Sequence, residues 1–334
     1  MRFIVVGAGA VGGVVGGRLF QHGHPVLLVA RGAHGRALRD RGLRLESPEG
    51  AVELRIPTVE QPADIAFRDG DVVLLAVKGQ DTAAVLKALQ PVAPPTLAIA
   101  CLQNGVENER LALRFFSRVY AVCVMCPASH LTPGVVQACS SPVAGLLDVG
   151  RHPDGLDDTA HALAAAFSAS GFGSQARPDI ARWKHAKLLM NLGNALEAAC
   201  GPEARRGVLA KRARQEGVAA LQAAGIAFAS PEEDAARRAD LVQIRPVAGR
   251  LRGGGSTWQS LARGAGTVEV DYLNGEIVLL GRLHGVPTPV NALLQRVAHD
   301  MARDGVPAGS LSLADLERWL AAGRSEGEVL ASDR

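Results

Sequence analysis

Aromatic residues, net charge and long apolar runs are all scarce in this chain. Phe, Trp and Tyr together make up 4% of 334 residues, so aliphatic side chains must build the core. Lys and Arg number 36 against 33 Asp and Glu, and the cations are spread along the chain, so no basic stripe offers itself to nucleic acid. No uninterrupted apolar run reaches about 18 residues, and Met1-Arg2-Phe3-Ile4 leads directly into a strand pattern rather than a signal peptide. No membrane partner and a cytoplasmic location are therefore expected. Five cysteines are an odd count with no disulfide framework. Cys123 and Cys126 form C-x-x-C within an apolar run. Strand positions three apart face opposite sides, and no second pair completes a zinc site, so the expectation is buried packing and no metal.

What is present suits a soluble globular protein: 48% hydrophobic and 21% charged residues. The length suits two domains of about 150 residues each, with a cleft between them. Arg2-Phe3-Ile4-Val5-Val6 reads as a strand ending at Gly7, residues 10–22 as a helix, and Pro25-Val26-Leu27-Leu28-Val29 as a second strand. Further apolar runs at 72–77, 97–102 and 119–124 alternate with helix-length segments, the pattern of a parallel sheet buried on both faces. One or two strands are expected within 135–147. Helices are expected over 156–170, 179–200, 203–224, 231–243, 268–284 and 288–303. The predicted class is α/β: a doubly wound N-terminal domain over 1–175, a mostly α-helical domain over 176–321 and a flexible tail over 322–334.

Gly7-Ala8-Gly9-Ala10-Val11-Gly12 matches G-x-G-x-x-G between the first strand and the first helix. The first glycine allows the tight turn, the second lets backbone approach a pyrophosphate, and the third permits close helix packing on the strand. The helix N-terminus then favours the anion. A glycine-rich turn without a ligand is the plainer alternative. At the end of the second strand an acid would hold the ribose hydroxyls of NAD; here Val29-Ala30-Arg31 places a cation, followed by His34 and Arg36, so NADPH is expected unless Arg31 is only a solvated loop residue.

Lys184, Lys187, Asn191 and Asn194 fall within an arc of roughly 80° on a continuous helix, with Leu188, Leu189 and Leu192 over much of the rest. Lysines fit a solvated face, but asparagines are poor helix formers and suggest a cleft lining. Gly253-Gly254-Gly255-Ser256-Thr257 could bind a carboxylate through its hydroxyls, and Glu269 could orient a substrate hydroxyl or pair with a lysine; a helix cap and surface acids are the alternative.

Taken in order, these motifs resemble the ketopantoate reductase (2-dehydropantoate 2-reductase) family along nearly the whole chain. The resemblance is carried by Gly7 to Gly12, Arg31, Ala76-Val77-Lys78, Gln103-Asn104-Gly105, Lys187 with Asn191, and Val268-Glu269-Val270-Asp271-Tyr272-Leu273-Asn274-Gly275. It implies a Rossmann domain followed by a helical domain, with NADPH and a small 2-oxo acid in the cleft. It makes Lys187 the proton donor to the developing alkoxide, Glu269 an acid contacting the substrate and Asn191 a substrate-binding amide. It places Lys78 and Asn104 near the nicotinamide ribose and the reacting centre, and Ser256, Thr257 and Asn194 among the candidate substrate contacts. Two departures bear on the substrate. Position 195 is Ala195 where members with established activity usually have a second asparagine, leaving Asn194 as the nearest amide. The loop Ser256 to Leu261 departs from the usual serine pattern, with Thr257 in the place of the usual serine.

A homodimer through the helical domain is a further expectation. Two rivals remain. β-Hydroxyacid dehydrogenases also use a lysine with an asparagine four residues on, but their phosphate loop continues with methionine, whereas Gly12 is followed by Gly13-Val14-Val15. A non-catalytic NADPH sensor would bind nucleotide without turnover.

Overall fold

A computed structural model describes residues 1–323 and divides into two compact units. The first comprises Met1–Lys184 and Ala229–Arg252; the second comprises His185–Phe228 and the chain from Gly253 onward. The sequence suggests one crossing near residue 175. Instead the chain leaves the first unit after Lys184 and returns to it at Ala229. The proposed tail falls almost wholly outside the described residues.

In chain order the first unit holds β1 (Arg2–Val6), α1 (Ala10–Gln21), β2 (Val26–Val29), α2 (Gly32–Arg41), β3 (Leu43–Ser47), β4 (Gly50–Leu54), β5 (Thr58–Val59), β6 (Asp71–Leu75) and α3 (Gly79–Leu89). It continues with β7 (Ala98–Cys101), α4 (Asn108–Leu113), β8 (Arg118–Met125), β9 (Ala128–Ser129), β10 (Val135–Ala138), β11 (Ser140–Pro142), β12 (Leu146–Arg151) and α5 (Asp158–Ala169). The main sheet runs β12-β8-β7-β6-β1-β2-β5, parallel throughout except for the antiparallel edge strand β12. Strand order reverses at β1, so the crevice beyond the carboxyl ends of β1 and β6 is the switch point at which such sheets bind ligands.

A second sheet, β4-β3-β10-β9, lies on the other side of α1. The glycine pairs of α1 account for this double packing. A Cβ on Gly16 would stand 2.9 Å from Leu28 of the main sheet, and one on Gly13 2.7 Å from Val136 of the second. Each glycine in a helix costs up to about 1 kcal/mol against alanine. Here it lets the helix approach two sheets at once.

Helix α6 (Ile180–Asn191) begins in the first unit and ends in the second. It is followed by α7 (Asn194–Cys200) and α8 (Val208–Ala223). The returning segment carries α9 (Pro231–Arg238) and β13 (Val242–Ile244), which pairs with β11. The expected helix over 231–243 thus starts at a capping box, Ser230 with Glu233, but stops at Ala239, whose φ of 37° cannot continue a helix. The second unit resumes with α10 (Ser256–Ala262), α11 (Asn274–His284), α12 (Pro289–Asp304) and α13 (Leu313–Ala321). Among the described residues, no helix is long and apolar enough to cross a membrane. Cys123 is buried on β8, Cys126 follows that strand, and both are free thiols.

Candidate active site

The loop Gly7 to Gly12 joins β1 to α1 at the switch point, and its three glycines differ in physical role. Gly7 has φ 99°, and a Cβ there would lie 2.8 Å from the backbone nitrogen of Val77. Gly12 would bring a Cβ within 2.1 Å of the Gly7 carbonyl oxygen. Around Gly9 nothing lies within 4 Å of the Cβ position. Two glycines therefore serve the packing of the turn, and the third leaves its outer side open to a ligand. Gly9 caps α1 without a side chain, and the first turn carries no acid to oppose an anion. Ala8 is buried, whereas Ala10 and Val11 are half-buried in the first turn.

Beside this loop is a pocket of about 380 Å³ lined by Gly7, Ala8, Ala30, Arg31, His34 and Val77, among others. Arg31 is at the N-cap of α2, highly exposed, and 3.8 Å from Asp81 in the first turn of α3. His34 is held from both sides. The Gly134 N–H donates to its Nδ1 at 2.9 Å, so the ring proton belongs on Nε2, which donates to the Ala8 carbonyl at 2.7 Å. Burial, and then the charge of His130, whose ring lies tilted 4.2 Å away, lower its pKa to about 4.

Lys78 caps α3 after β6 and is half-buried. A chain of hydrogen bonds joins its neighbourhood to the loop after β7. Gln103 donates to the Val77 carbonyl at 2.7 Å and to Thr82 at 2.8 Å; Thr82 donates to Asn108 at 2.8 Å, and Asn108 to the Asn104 carbonyl at 2.9 Å. Asn104 is thus carried on a loop fixed from behind. Lys184 belongs to this same unit: it is buried, ion-paired with buried Glu109, and donates to the Gln103 carbonyl at 3.0 Å. Lys184 is thereby engaged by partners in the first unit, and the stripe of four expected on one continuous helix is corrected at its other end, where the helix stops before Asn194. Thr82, Asn108 and Glu109 were not singled out by the motifs; Thr82 meets Asn108 across 26 positions and Glu109 meets Lys184 across 75.

In the second unit, Lys187 is half-buried and Asn191 buried, four residues apart on α6 and so on one face. The expected single helix over 179–200 breaks at Leu192 and Gly193, and Asn194 opens α7 instead of continuing the same face. The break is held by Asn274, which donates to the Leu192 carbonyl and to Asn291, each at 3.0 Å. Asn291 in turn donates to the Ala213 carbonyl at 2.9 Å and to Glu216 at 2.8 Å. Asn194 and the departing Ala195 are both buried.

The loop before α10 packs on α7. A Cβ on Gly255 would stand 3.0 Å from Glu197 Oε2 and 3.6 Å from Asn194 Oδ1. Thr257 is buried and Ser256 half-buried next to that loop; buried Glu197, which the motifs did not flag, is ion-paired with Arg205 at 2.8 Å. Glu269 is 6% exposed at the start of a short 3-10 turn, Val270–Tyr272. Asp271 faces outward to His299 at 2.7 Å and Gln295 at 2.6 Å, a surface pairing.

The switch-point loop and the helical second unit together define a dinucleotide-binding α/β protein of the Rossmann class. The pattern of ketopantoate reductase PanE/ApbA matches residues 3–151, and that of its C-terminal part matches residues 179–302. A curated 2-dehydropantoate 2-reductase from Halobacterium salinarum is 31% identical over 91% of this chain and 100% of its own length. The PanE/ApbA family ketopantoate reductase from Ralstonia eutropha superposes with TM-score 0.75 at 29% identity, over 91% of this chain and 99% of its own. D-Mandelate dehydrogenase, solved with NADH and anilino(oxo)acetate, shares the fold with TM-score 0.77 at 24% identity, over 91% of this chain and 99% of its own. The chain belongs to the ketopantoate reductase family, and with it to the oxidoreductases that act on CH–OH groups.

Proposed function

We propose that this protein reduces a small 2-oxo acid to the 2-hydroxy acid with a nicotinamide cofactor, NADPH in preference to NADH, and that ketopantoate is the first substrate to test. The observation that carries the reading is the Gly9 opening: a tight strand-to-helix turn whose one uncrowded position faces the switch point, beside a pocket that includes Arg31. These residues fit a dinucleotide. Gly7 to Gly12 would hold the pyrophosphate and Arg31 the 2′-phosphate, with Lys78 and Asn104 at the nicotinamide end. When bound, the cofactor supplies the hydride.

The remaining work is assigned to side chains. A hydride arriving at a ketone carbon drives negative charge onto the oxygen, and the Lys187 ammonium stabilises that charge and donates the proton. Asn191, Asn194, Ser256 and Thr257 supply hydrogen bonds to the substrate, and Glu269 an acceptor for its hydroxyl. Ala195 removes one amide from that set. A hydroxyl-reading site discriminates through matched polar groups, so the acid preferred here is a question separate from the reaction.

The test is oxidation of NADPH, followed by nicotinamide absorbance, with ketopantoate and a panel of 2-oxo acids of varied side chain. Lys187→Ala should lower kcat by about 10²- to 10⁴-fold while cofactor affinity changes little. Undiminished turnover in Lys187→Ala and Glu269→Ala would exclude this allocation, and nucleotide binding without turnover of any acid would favour a sensor.

A further inference from the structure

The single-residue rule at the end of β2 reads Arg31 as a selector for the 2′-phosphate. The pocket around Arg31 has a different charge balance. Asp81 and Glu60 line the same pocket, and Asp81 Oδ1 is 3.8 Å from Arg31 Nη2. Glu60 pairs with Arg39 at 3.4 Å. His34, on the same wall, is held neutral with its proton directed at Ala8. The cation available to a phosphate is therefore already engaged by a carboxylate, and the phosphate would enter beside that carboxylate.

We infer that Asp81 is a specificity-determining residue that weakens the preference of this pocket for the 2′-phosphate, so that the protein accepts both NADPH and NADH. The inference rests on reading this pocket as the adenosine end of the cofactor site. Two effects act in the same direction. A dianionic phosphate must share Arg31 with Asp81, and it meets like-charge repulsion from Asp81 at short range. A ribose with free hydroxyls meets neither, and the same carboxylate can accept its hydrogen bonds, as an acid at the end of β2 does in NAD-binding members of this fold class. Arg31 and Asp81 are both well exposed, so solvent and salt moderate the interaction without removing it. Their side chains come from different elements, Arg31 before α2 and Asp81 in α3, which is why inspection of the β2 end alone does not reveal the pairing.

The test is equilibrium binding, independent of turnover. Dissociation constants for adenosine 2′,5′-bisphosphate and for 5′-AMP are measured by calorimetry on the full chain and on Asp81→Asn, at low and at physiological salt. The wild type should favour the bisphosphate by less than about tenfold. Asp81→Asn should tighten the bisphosphate by roughly two- to tenfold, more at low salt, and leave 5′-AMP unchanged or weaker, since the neutral amide is the poorer acceptor for the ribose hydroxyls. A thermal melt checks that the variant is folded, which the half-exposed position favours. Unchanged selectivity in folded Asp81→Asn overturns the inference alone. Weaker bisphosphate binding in that variant also overturns it, since Asp81 would then be orienting Arg31 for the phosphate. Binding of neither nucleotide by the wild type overturns the pocket assignment, and the inference with it.

Discussion

Lys184 and Lys187 are three residues apart with the same side-chain chemistry, yet one is a buried structural cation and the other a candidate acid. Helical spacing puts both on one face and cannot separate them, because the partner of Lys184 is Glu109, 75 positions earlier in the chain. Removing one member leaves the other charge buried and unpaired, at a cost of roughly 3–5 kcal/mol. Glu109→Ala should therefore lower unfolding stability by about that amount in a denaturant titration. Lys184→Met combined with Glu109→Leu should recover much of the loss; an equally unstable double variant would argue against a charge-pair origin. Asn104 rests on the loop that this pair supports through the Gln103 carbonyl, a support that the motif itself does not show. His34 gives a residue-scale dependence on pH. Its folded pKa, about 4, is below the unfolded value of about 6.5, so the unfolded chain binds the proton more readily between them. The stability that neutral His34 contributes is complete above about pH 6.5 and declines as pH falls towards 4. The melting-temperature difference between wild type and His34→Gln should accordingly shrink from pH 7 to pH 5; a constant difference would show that His34 does not carry it.

At the scale of elements, hydrophobic periodicity located β1, β2, β6, β7 and β8 and most of the described helices, because buried strands flanked by helices leave long apolar runs, but it missed the two-residue parallel edge strand β5. It did not reveal the hairpin of β3 and β4, where Arg44, Glu46 and Glu53 alternate with buried leucines at short range; Arg44 pairs with Glu46 on its own strand at 2.8 Å and with Glu53 across the strands at 3.0 Å. Nor did it reveal the break between α6 and α7. A single Gly193 inside a helical pattern is tolerated in many helices, and what fixes this break is a side chain about 80 residues away, Asn274. The break changes where Asn194 points relative to Lys187, so the arc computed for a continuous helix does not describe the pair. The strand-to-helix turn before α1 was legible from its glycine spacing, and its glycines can be told apart by experiment. Gly9→Ala should leave the melting temperature nearly unchanged and weaken nucleotide binding, since its Cβ meets no protein atom. Gly12→Ala should destabilise the fold itself, by about 1–3 kcal/mol or more, because its Cβ collides with the Gly7 carbonyl. The reverse order of effects would remove the argument that Gly9 is the opening.

For the whole molecule, the sequence showed two units but not their interleaving. The signals for a boundary, Gly171, Gly173 and Pro178, are real punctuation, yet the chain runs on through Lys184, and the segment 229–252 carries no local mark of belonging to the first unit. Its membership depends on distant partners. Buried Asp148 on β12 accepts from Arg177 at 2.7 Å and from Arg237 at 2.8 and 2.6 Å, and Arg182 is ion-paired with Glu233. The Ala229 N–H donates to the Arg182 carbonyl at 3.2 Å, so the chain re-enters next to where it left. A fragment of residues 1–184 should therefore be several kcal/mol less stable than the same fragment joined by a short Gly-Ser linker to 229–252. Equal denaturation midpoints for the two would show that the returning segment adds nothing to the first unit.

The pairing of Asp148 with Arg237 spans 89 positions. During synthesis, β12 leaves the ribosome well before its arginine partner, and all of α7 and α8 is made in the interval. The N-terminal unit cannot complete itself first, as consecutive domains usually do; it waits, with a buried carboxylate half-neutralised, while part of its neighbour is already out. The two halves of this protein are thus obliged to mature as nested parts, and a ribosome that stalls between residues 200 and 229 leaves both unfinished.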